Sequence, residues 1–230
     1  MGKRIALIGL DGSGKSANIG KMKLDPDYAG YQFLWVRWKP TLLKPAYFLM
    51  EKKVSKKNKN IDGIVQVDGK SGIKQAEMNA EYNAKSGLKE KIFGSSVMRC
   101  IWMALTLIDY FIQFHVKVLP KVLTGKNIIF DRFFLDLFVD QGINFGFSPE
   151  KIQAEIKKYA FLFPRVDEYI YVRVSPDTCY QRKNDIPNMD YLNRRFGIYE
   201  CLSSDVAWIT VDGELSFEEV NVNIKKLILD

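Results

Sequence analysis

Gly9-Leu10-Asp11-Gly12-Ser13-Gly14-Lys15-Ser16 follows an apolar run, Arg4 to Gly9, and opens a helical pattern, Ser13 to Lys23. The spacing Gly-x-x-x-x-Gly-Lys-Ser is that of a Walker A phosphate loop. Glycines adopt backbone angles that other residues resist, so successive amide N–H groups can turn toward phosphate oxygens. The helix start adds the positive end of its dipole. Lys15 then serves as a point charge for the β- and γ-phosphates, and Ser16 as a hydroxyl for Mg²⁺. The residues expected around the nucleotide are Asp11, Gly12, Ser13, Gly14, Lys15, Ser16 and Ala17. A glycine-rich dinucleotide fingerprint is no rival, because G-x-G-x-x-G does not occur in the chain.

Outward from this loop, short apolar runs alternate with helical patterns. Arg4–Gly9, Tyr31–Trp38, Asn127–Asp131, Glu168–Val174 and Ala207–Val211 read as strands. Val97–Leu123, Phe133–Gly142, Pro149–Phe163, Pro176–Lys183, Tyr191–Leu202 and Phe217–Leu229 read as helices, with Pro120 kinking or ending the first near Leu119. Such alternation predicts right-handed crossovers and a mostly parallel sheet covered on both faces. The stretch 51–95 breaks the rhythm. It holds ten lysines and six acids with scattered apolar residues, and reads as a solvated, partly disordered insert in which Lys74–Lys85 can form a polar helix. A flap over the substrate, or a site for an anionic partner, is the sharper reading of the same stretch.

A chain of 230 residues is long enough for one sizeable core. Cys100, Cys179 and Cys201 lack the spacing of a disulfide framework or a zinc site, which favours an intracellular, cytoplasmic chain with free thiols. Ile101–Leu123 is apolar, but Asp109, Gln113, His115 and Lys117 interrupt it, so a core helix is expected rather than a membrane span. The net charge of +7 attracts anions. A nucleic-acid site is disfavoured because the lysine-rich stretch lacks aromatics for base stacking.

Three segments together resemble the thymidylate kinases: the loop from Gly9 to Ser16, the segment Gly125-Lys126-Asn127-Ile128-Ile129-Phe130-Asp131-Arg132-Phe133, and Val172-Arg173-Val174-Ser175-Pro176 leading to Arg182. The resemblance implies a three-layer α/β P-loop kinase fold over residues 1–230, with helices on both faces of a five-stranded parallel sheet in the order 2-3-1-4-5. It implies a lid at about 183–190, and ATP with Mg²⁺ as donor to a small-molecule phosphate acceptor. By the same resemblance, Asp131 joins Ser16 in the metal shell. Arg132 clamps the phosphates between donor and acceptor, Arg37 binds an acceptor phosphate, Arg182 stabilises the transferring group, and Asp11 accepts from an acceptor hydroxyl. Lys15, Arg132, Arg182 and Asp131 are thus the expected catalytic set. The family often dimerises, so a homodimer is compatible with the resemblance.

Departures from the family pattern bear on the acceptor. Phe111, flanked by Asp109 and Tyr110, stands where the family carries an arginine, and with Trp38 these rings are candidates for the acceptor pocket. Asp136 and Asp140, four apart on one helix face, replace small or neutral residues. Two carboxylates repel an acceptor phosphate, whereas a hydroxyl acceptor benefits from a base. A nucleoside monophosphate therefore leads as the acceptor. The alternatives are a hydroxyl of a nucleoside, sugar or glycan precursor, and nucleotide binding without turnover. Arg194 and Arg195 follow the lid and either reach the triphosphate or form surface ion pairs.

Overall fold

The computed structural model describes residues 2–46, 48, 70–205 and 208–229. Its centre is β1 (Arg4–Ile8), whose Ile5, Ala6, Leu7 and Ile8 are wholly buried. A strand apolar on both faces must sit inside a sheet covered on both sides. It does: β2 (Tyr31–Trp35), β3 (Asn127–Asp131), β4 (Glu168–Arg173) and β5 (Ile209–Asp212) join it in one parallel sheet of order β2-β3-β1-β4-β5. Leu7 lies opposite Asp131, Ile8 opposite Tyr171, and Trp35 opposite Asp131, so the loop after β1 and the end of β3 meet at one edge. That carboxyl edge is where parallel α/β sheets place their ligands.

The helices are α1 (Lys15–Met22), α2 (Lys70–Ile92), α3 (Ser96–Lys117), α4 (Leu119–Val122), α5 (Leu135–Asn144), α6 (Pro149–Tyr159), α7 (Pro176–Arg182), α8 (Met189–Asp205) and α9 (Phe217–Leu229). Pro120 falls in the first turn of α4, where its missing N–H costs nothing, so the long apolar pattern is split into α3 and α4. Strand β2 stops at Trp35 rather than Trp38. Residues 51–69 of the lysine-rich stretch, and Ala207 ahead of β5, lie outside the described residues. From Lys70 the stretch is a helix of 23 residues, longer than the expected Lys74–Lys85. Its Ala, Glu, Lys and Gln residues favour helix, and Glu81 pairs with Lys85 one turn on.

Helix α3 packs one face into the core through Trp102, Met103, Leu107, Tyr110 and Phe114. The opposite face is open. Val97, Met98, Ile101, Leu105, Ile108, Phe111, Ile112 and Val116 are all exposed. The expected core helix is therefore apolar all round but covered on one side only. Among the described residues it is also the helix whose length and composition would allow it to cross a membrane. At its centre, Asp109 is fully buried and accepts hydrogen bonds from the Thr41 amide at 2.9 Å, the Leu42 amide at 3.1 Å, the Trp38 indole at 3.3 Å and the Thr41 hydroxyl. Burial alone would raise the Asp109 pKa. The bonds from Thr41, Leu42 and Gln113 outweigh burial and hold it below the usual carboxylate range. One carboxylate thus ties the loop after β2 to α3.

Asp109→Ala leaves those buried donors unpaired and is expected to cost about 3 kcal/mol, read as a lower urea midpoint with an unchanged slope. An unchanged midpoint would mean the loop is held by something else.

Candidate active site

The phosphate loop forms at the end of β1 because three glycines permit it. Gly9, Gly12 and Gly14 have φ of 140°, 91° and 86°. At Gly12 a Cβ would lie 2.6 Å from the Cys179 carbonyl oxygen of α7, so the loop is pressed against that helix. Helix α1 starts without a side-chain cap, which leaves its first N–H groups free for an anion. Ser16 and Ala17 stand exposed in that first turn.

Lys15 is folded back into the loop. Its Nζ donates to the Gly9 carbonyl at 2.8 Å, the Leu10 carbonyl at 2.5 Å and the Ser13 hydroxyl at 2.9 Å. Burial, with Arg132 adding, lowers its pKa to about 8 against the pull of Asp11, Asp136 and Asp131. Such a lysine is a movable charge, parked on neutral carbonyls. Beside it, the Ser16 hydroxyl donates to Asp131 Oδ2 at 2.8 Å, while Asp131 Oδ1 is buried without a hydrogen-bond partner. An orphaned carboxylate oxygen next to a hydroxyl fits a hard divalent cation, which prefers one or two carboxylates and fills its shell with phosphate and water. The residues present therefore fit Mg²⁺.

Beyond the loop, three guanidiniums and three carboxylates interlock. Arg132, at the end of β3, has a left-handed backbone with φ 69°. Its guanidinium donates to Asp11 and, at 2.8 Å, to Asp136 Oδ1. Arg37, after β2, lies 3.3 Å from Asp140 and 3.9 Å from Asp11. Arg195, on α8, reaches Asp140 at 2.6 Å and sits over the Tyr191 ring, 3.7 Å from its centroid. Burial would raise the Asp11 pKa, yet Arg132, Lys15 and Arg37 hold it well below the usual carboxylate range. Asp140 is likewise held low, by Arg195 and Arg37 against burial.

Helix α8 contributes one partner to each carboxylate, from positions four apart. The Tyr191 hydroxyl donates to Asp11 at 2.7 Å, Arg195 donates to Asp140, and the Tyr199 hydroxyl donates to Asp136 at 2.9 Å. Sequence reasoning missed both tyrosines and left Arg195 level with Arg194. The structure separates the arginines: Arg194 pairs with Asp190 at 2.9 Å on the surface. The spacing 191, 195, 199 is a helical stripe and was the one available signal.

The structure thus gathers Asp11, Lys15, Ser16, Arg37, Asp131, Arg132, Asp136 and Asp140 into one site. It does not bring Phe111 there. That ring lies outside, tilted against His115 with ring centroids 3.7 Å apart. The Tyr110 ring is buried in the core, and its hydroxyl donates to the Val36 carbonyl at 2.9 Å. Trp38 is engaged with Asp109. Arg182 donates to the Gly213 carbonyl at 2.9 Å, on the side of β5.

No family model and no curated protein matches the chain. Solved structures do. A deoxyadenosine kinase from M. mycoides with bound dATP is 19% identical with a TM-score of 0.55, over 98% of this chain and 99% of that one. The same kinase with the products dCMP and a flexible dCDP is 20% identical with a TM-score of 0.53, over 97% of both chains. At this identity the likeness establishes the fold, and it is the P-loop kinase fold expected from the sequence.

Arg132→Met removes the cation between two buried carboxylates and is expected to cost about 3–5 kcal/mol at neutral pH. In the wild type, the Asp11 pKa is depressed, so its contribution is present above pH 4 and lost as pH falls. Without Arg132 that depression is weakened, so the deficit between variant and wild type narrows as pH falls through the carboxylate range below about pH 4. A deficit independent of pH in urea titrations would contradict the pairing.

Proposed function

We propose that this chain transfers the γ-phosphate of ATP to a hydroxyl group of a small, nucleoside-like acceptor. The carrying observation is charge balance: Arg37, Arg132 and Arg195 are already matched by Asp11, Asp136 and Asp140. A pocket built to take an acceptor phosphate needs unmatched cations, whereas a neutral hydroxyl compound fits a balanced one. Deoxyadenosine kinases of the same fold accord with this reading.

Phosphoryl transfer asks the protein mainly to position partners and neutralise charge on the equatorial oxygens. Loop amides and the released Lys15 ammonium hold the donor's β- and γ-phosphates. Ser16 and Asp131 would hold a divalent ion, which would supply further positive charge there. Arg132 stands between loop and acceptor and meets the charge of the transferring group. Asp11 accepts the hydroxyl's hydrogen bond and, late in transfer, its proton; a weak base is enough when the transition state is loose. Asp136 and Tyr199 position Arg132. A second reading keeps a nucleoside monophosphate of thymidylate type as acceptor. It is favoured by Arg37, whose side chain is 31% exposed and can meet a phosphate once Asp11 or Asp140 yields.

A coupled ADP-release assay over nucleosides, sugars and monophosphates decides between them. Turnover is expected on a hydroxyl compound, falling at least about 10³-fold in Lys15→Ala and about 10²-fold in Asp11→Asn. Turnover confined to dTMP would establish the second reading. ATP binding with no turnover on any acceptor would make the protein a nucleotide-binding regulator.

The open face of α3 fits a second copy of the chain. Its eight exposed apolar residues offer on the order of 700 Å², or about 1,400 Å² in a symmetric pair, which is the size of a standard stable interface. No charged residue interrupts that face between Arg99 and Lys117, and two-fold pairing lays it on itself. Light scattering is expected to give a dimer that Ile101→Glu with Ile108→Lys converts to monomer. A monomeric wild type that floats with anionic phosphatidylglycerol vesicles would assign the face to a lipid surface instead.

A further inference from the structure

A second cleft, of about 380 Å³, opens between α2, the start of α3, the end of α5 and α8. No residue of the phosphate loop lines it. Among the described residues its walls carry four cations, Lys85, Lys89, Arg99 and Arg194, against one carboxylate, Glu90. The volume is within the range of small-molecule sites. Phe93 and Phe145, edge-on at 4.9 Å, give it an apolar wall. Tyr82 stands edge-on to Tyr191 at 5.8 Å, so α2 closes the cleft against the same helix that holds the acceptor-side carboxylates.

Two of the cations are held by neutral groups. The Lys89 ammonium donates to the Asn144 amide oxygen at 3.0 Å. Arg99 donates to the Phe93 carbonyl at 2.7 Å, the Gly94 carbonyl at 3.2 Å and the Ser96 hydroxyl. Lys85 and Arg194 are paired along their own helices, to Glu81 and Asp190, where exposed ion pairs contribute little. Desolvation lowers the Lys89 pKa, and the charges of Arg195 and Lys85 add to this against the pull of Asp140. A partly buried cation held by an amide oxygen is short of compensating charge, and an anion makes a stronger, charge-assisted bond there.

We propose that this cleft binds the phosphate or carboxylate of a small, ring-bearing organic anion, with Lys89 and Arg99 as its principal ligands and Arg194 at the rim. The anionic group is either the far end of the acceptor itself or part of a separate effector. Lys89 lies within electrostatic reach of Asp140 and Arg195, the outer members of the acceptor network, so either source communicates with that site. The proposal does not require the phosphotransfer reading to hold.

The test is calorimetric titration of phenyl phosphate into the full chain, with inorganic phosphate as the ring-free control. Saturable one-to-one binding is expected, weaker for inorganic phosphate. It should be unchanged in Lys15→Ala, which cripples the phosphate loop. It should weaken about tenfold in Lys89→Met and about fivefold in Arg194→Ala, the loss of one charge-assisted contact each. Arg194 is at the surface, so its variant keeps the fold even if Lys89→Met does not. No saturable heat, an affinity unaltered in both cleft variants, or binding abolished by Lys15→Ala would each overturn the proposal. If turnover is found, phenyl phosphate competing with the acceptor identifies the acceptor's own far end, and a change in kcat without competition identifies an effector. If no acceptor is turned over, the titration still decides the cleft.

Discussion

The guanidinium of Arg132 is held between Asp11 and Asp136, and the geometry of the site depends on that placement. Asp11 belongs to the phosphate loop, Asp136 to the first turn of α5, and Arg132 itself to the end of β3. One buried cation therefore fixes the distance between the donor loop and the helix that carries the acceptor-side carboxylates. The backbone yields to this: Arg132 is the single non-glycine residue with positive φ among those described. A left-handed arginine costs on the order of 1 kcal/mol. From the end of β3, which runs parallel to β1, the guanidinium turns onto Asp11 of the loop and Asp136 of α5.

A buried ion pair is a weak source of net stability, since desolvation offsets much of the attraction. Its value here lies in directionality. Apolar side chains of the same volume would pack at least as well, but they would not fix the orientation of Arg132 or keep Asp11 ionised. The alternation of three cations with three anions also makes each group's state depend on its neighbours. Removing an inner member, Arg132, Asp11, Arg37 or Asp140, leaves two others short of charge, so the site is more sensitive to substitution than its solvent exposure suggests.

The donor half was legible in the sequence because it is local. A phosphate loop is built from backbone angles and consecutive N–H groups, and Gly9, Gly12, Gly14, Lys15 and Ser16 declare it within eight residues. Asp131 beside Ser16 was expected only from the family resemblance, and the two side chains lie in hydrogen-bond contact. The acceptor half is assembled from β2, β3, α5 and α8, and its partners are separated by as many as 180 residues. Nothing local marks Tyr191 or Tyr199 as ligands of a carboxylate; they read as ordinary amphipathic-helix residues. The long apolar helix hid a different ambiguity. Periodicity located α3 but not which of its two apolar faces was inward, so Phe111 pointed toward the pocket in sequence and away from it in space. In the lysine-rich stretch, polarity suggested disorder, whereas from Lys70 strong helix formers build α2, which meets Tyr191 through Tyr82 and Asn144 through Lys89.

Helix α8 gives these two halves a mechanical connection. The expected lid precedes its first residues, and Tyr191, Arg195 and Tyr199 then take Asp11, Asp140 and Asp136 in turn along 12 Å of helix, at about 1.5 Å per residue. Rigid rows of this kind move as a unit. A displacement at the lid end cannot loosen Tyr191 from the phosphate loop without also shifting Arg195 against Asp140. The hydrogen bonds of Tyr191 to Asp11 and of Arg195 to Asp140 are thus linked by the helix itself, without a chain of intermediate side chains. Because α2 rests on the same helix through Tyr82, the basic cleft lies on that path as well.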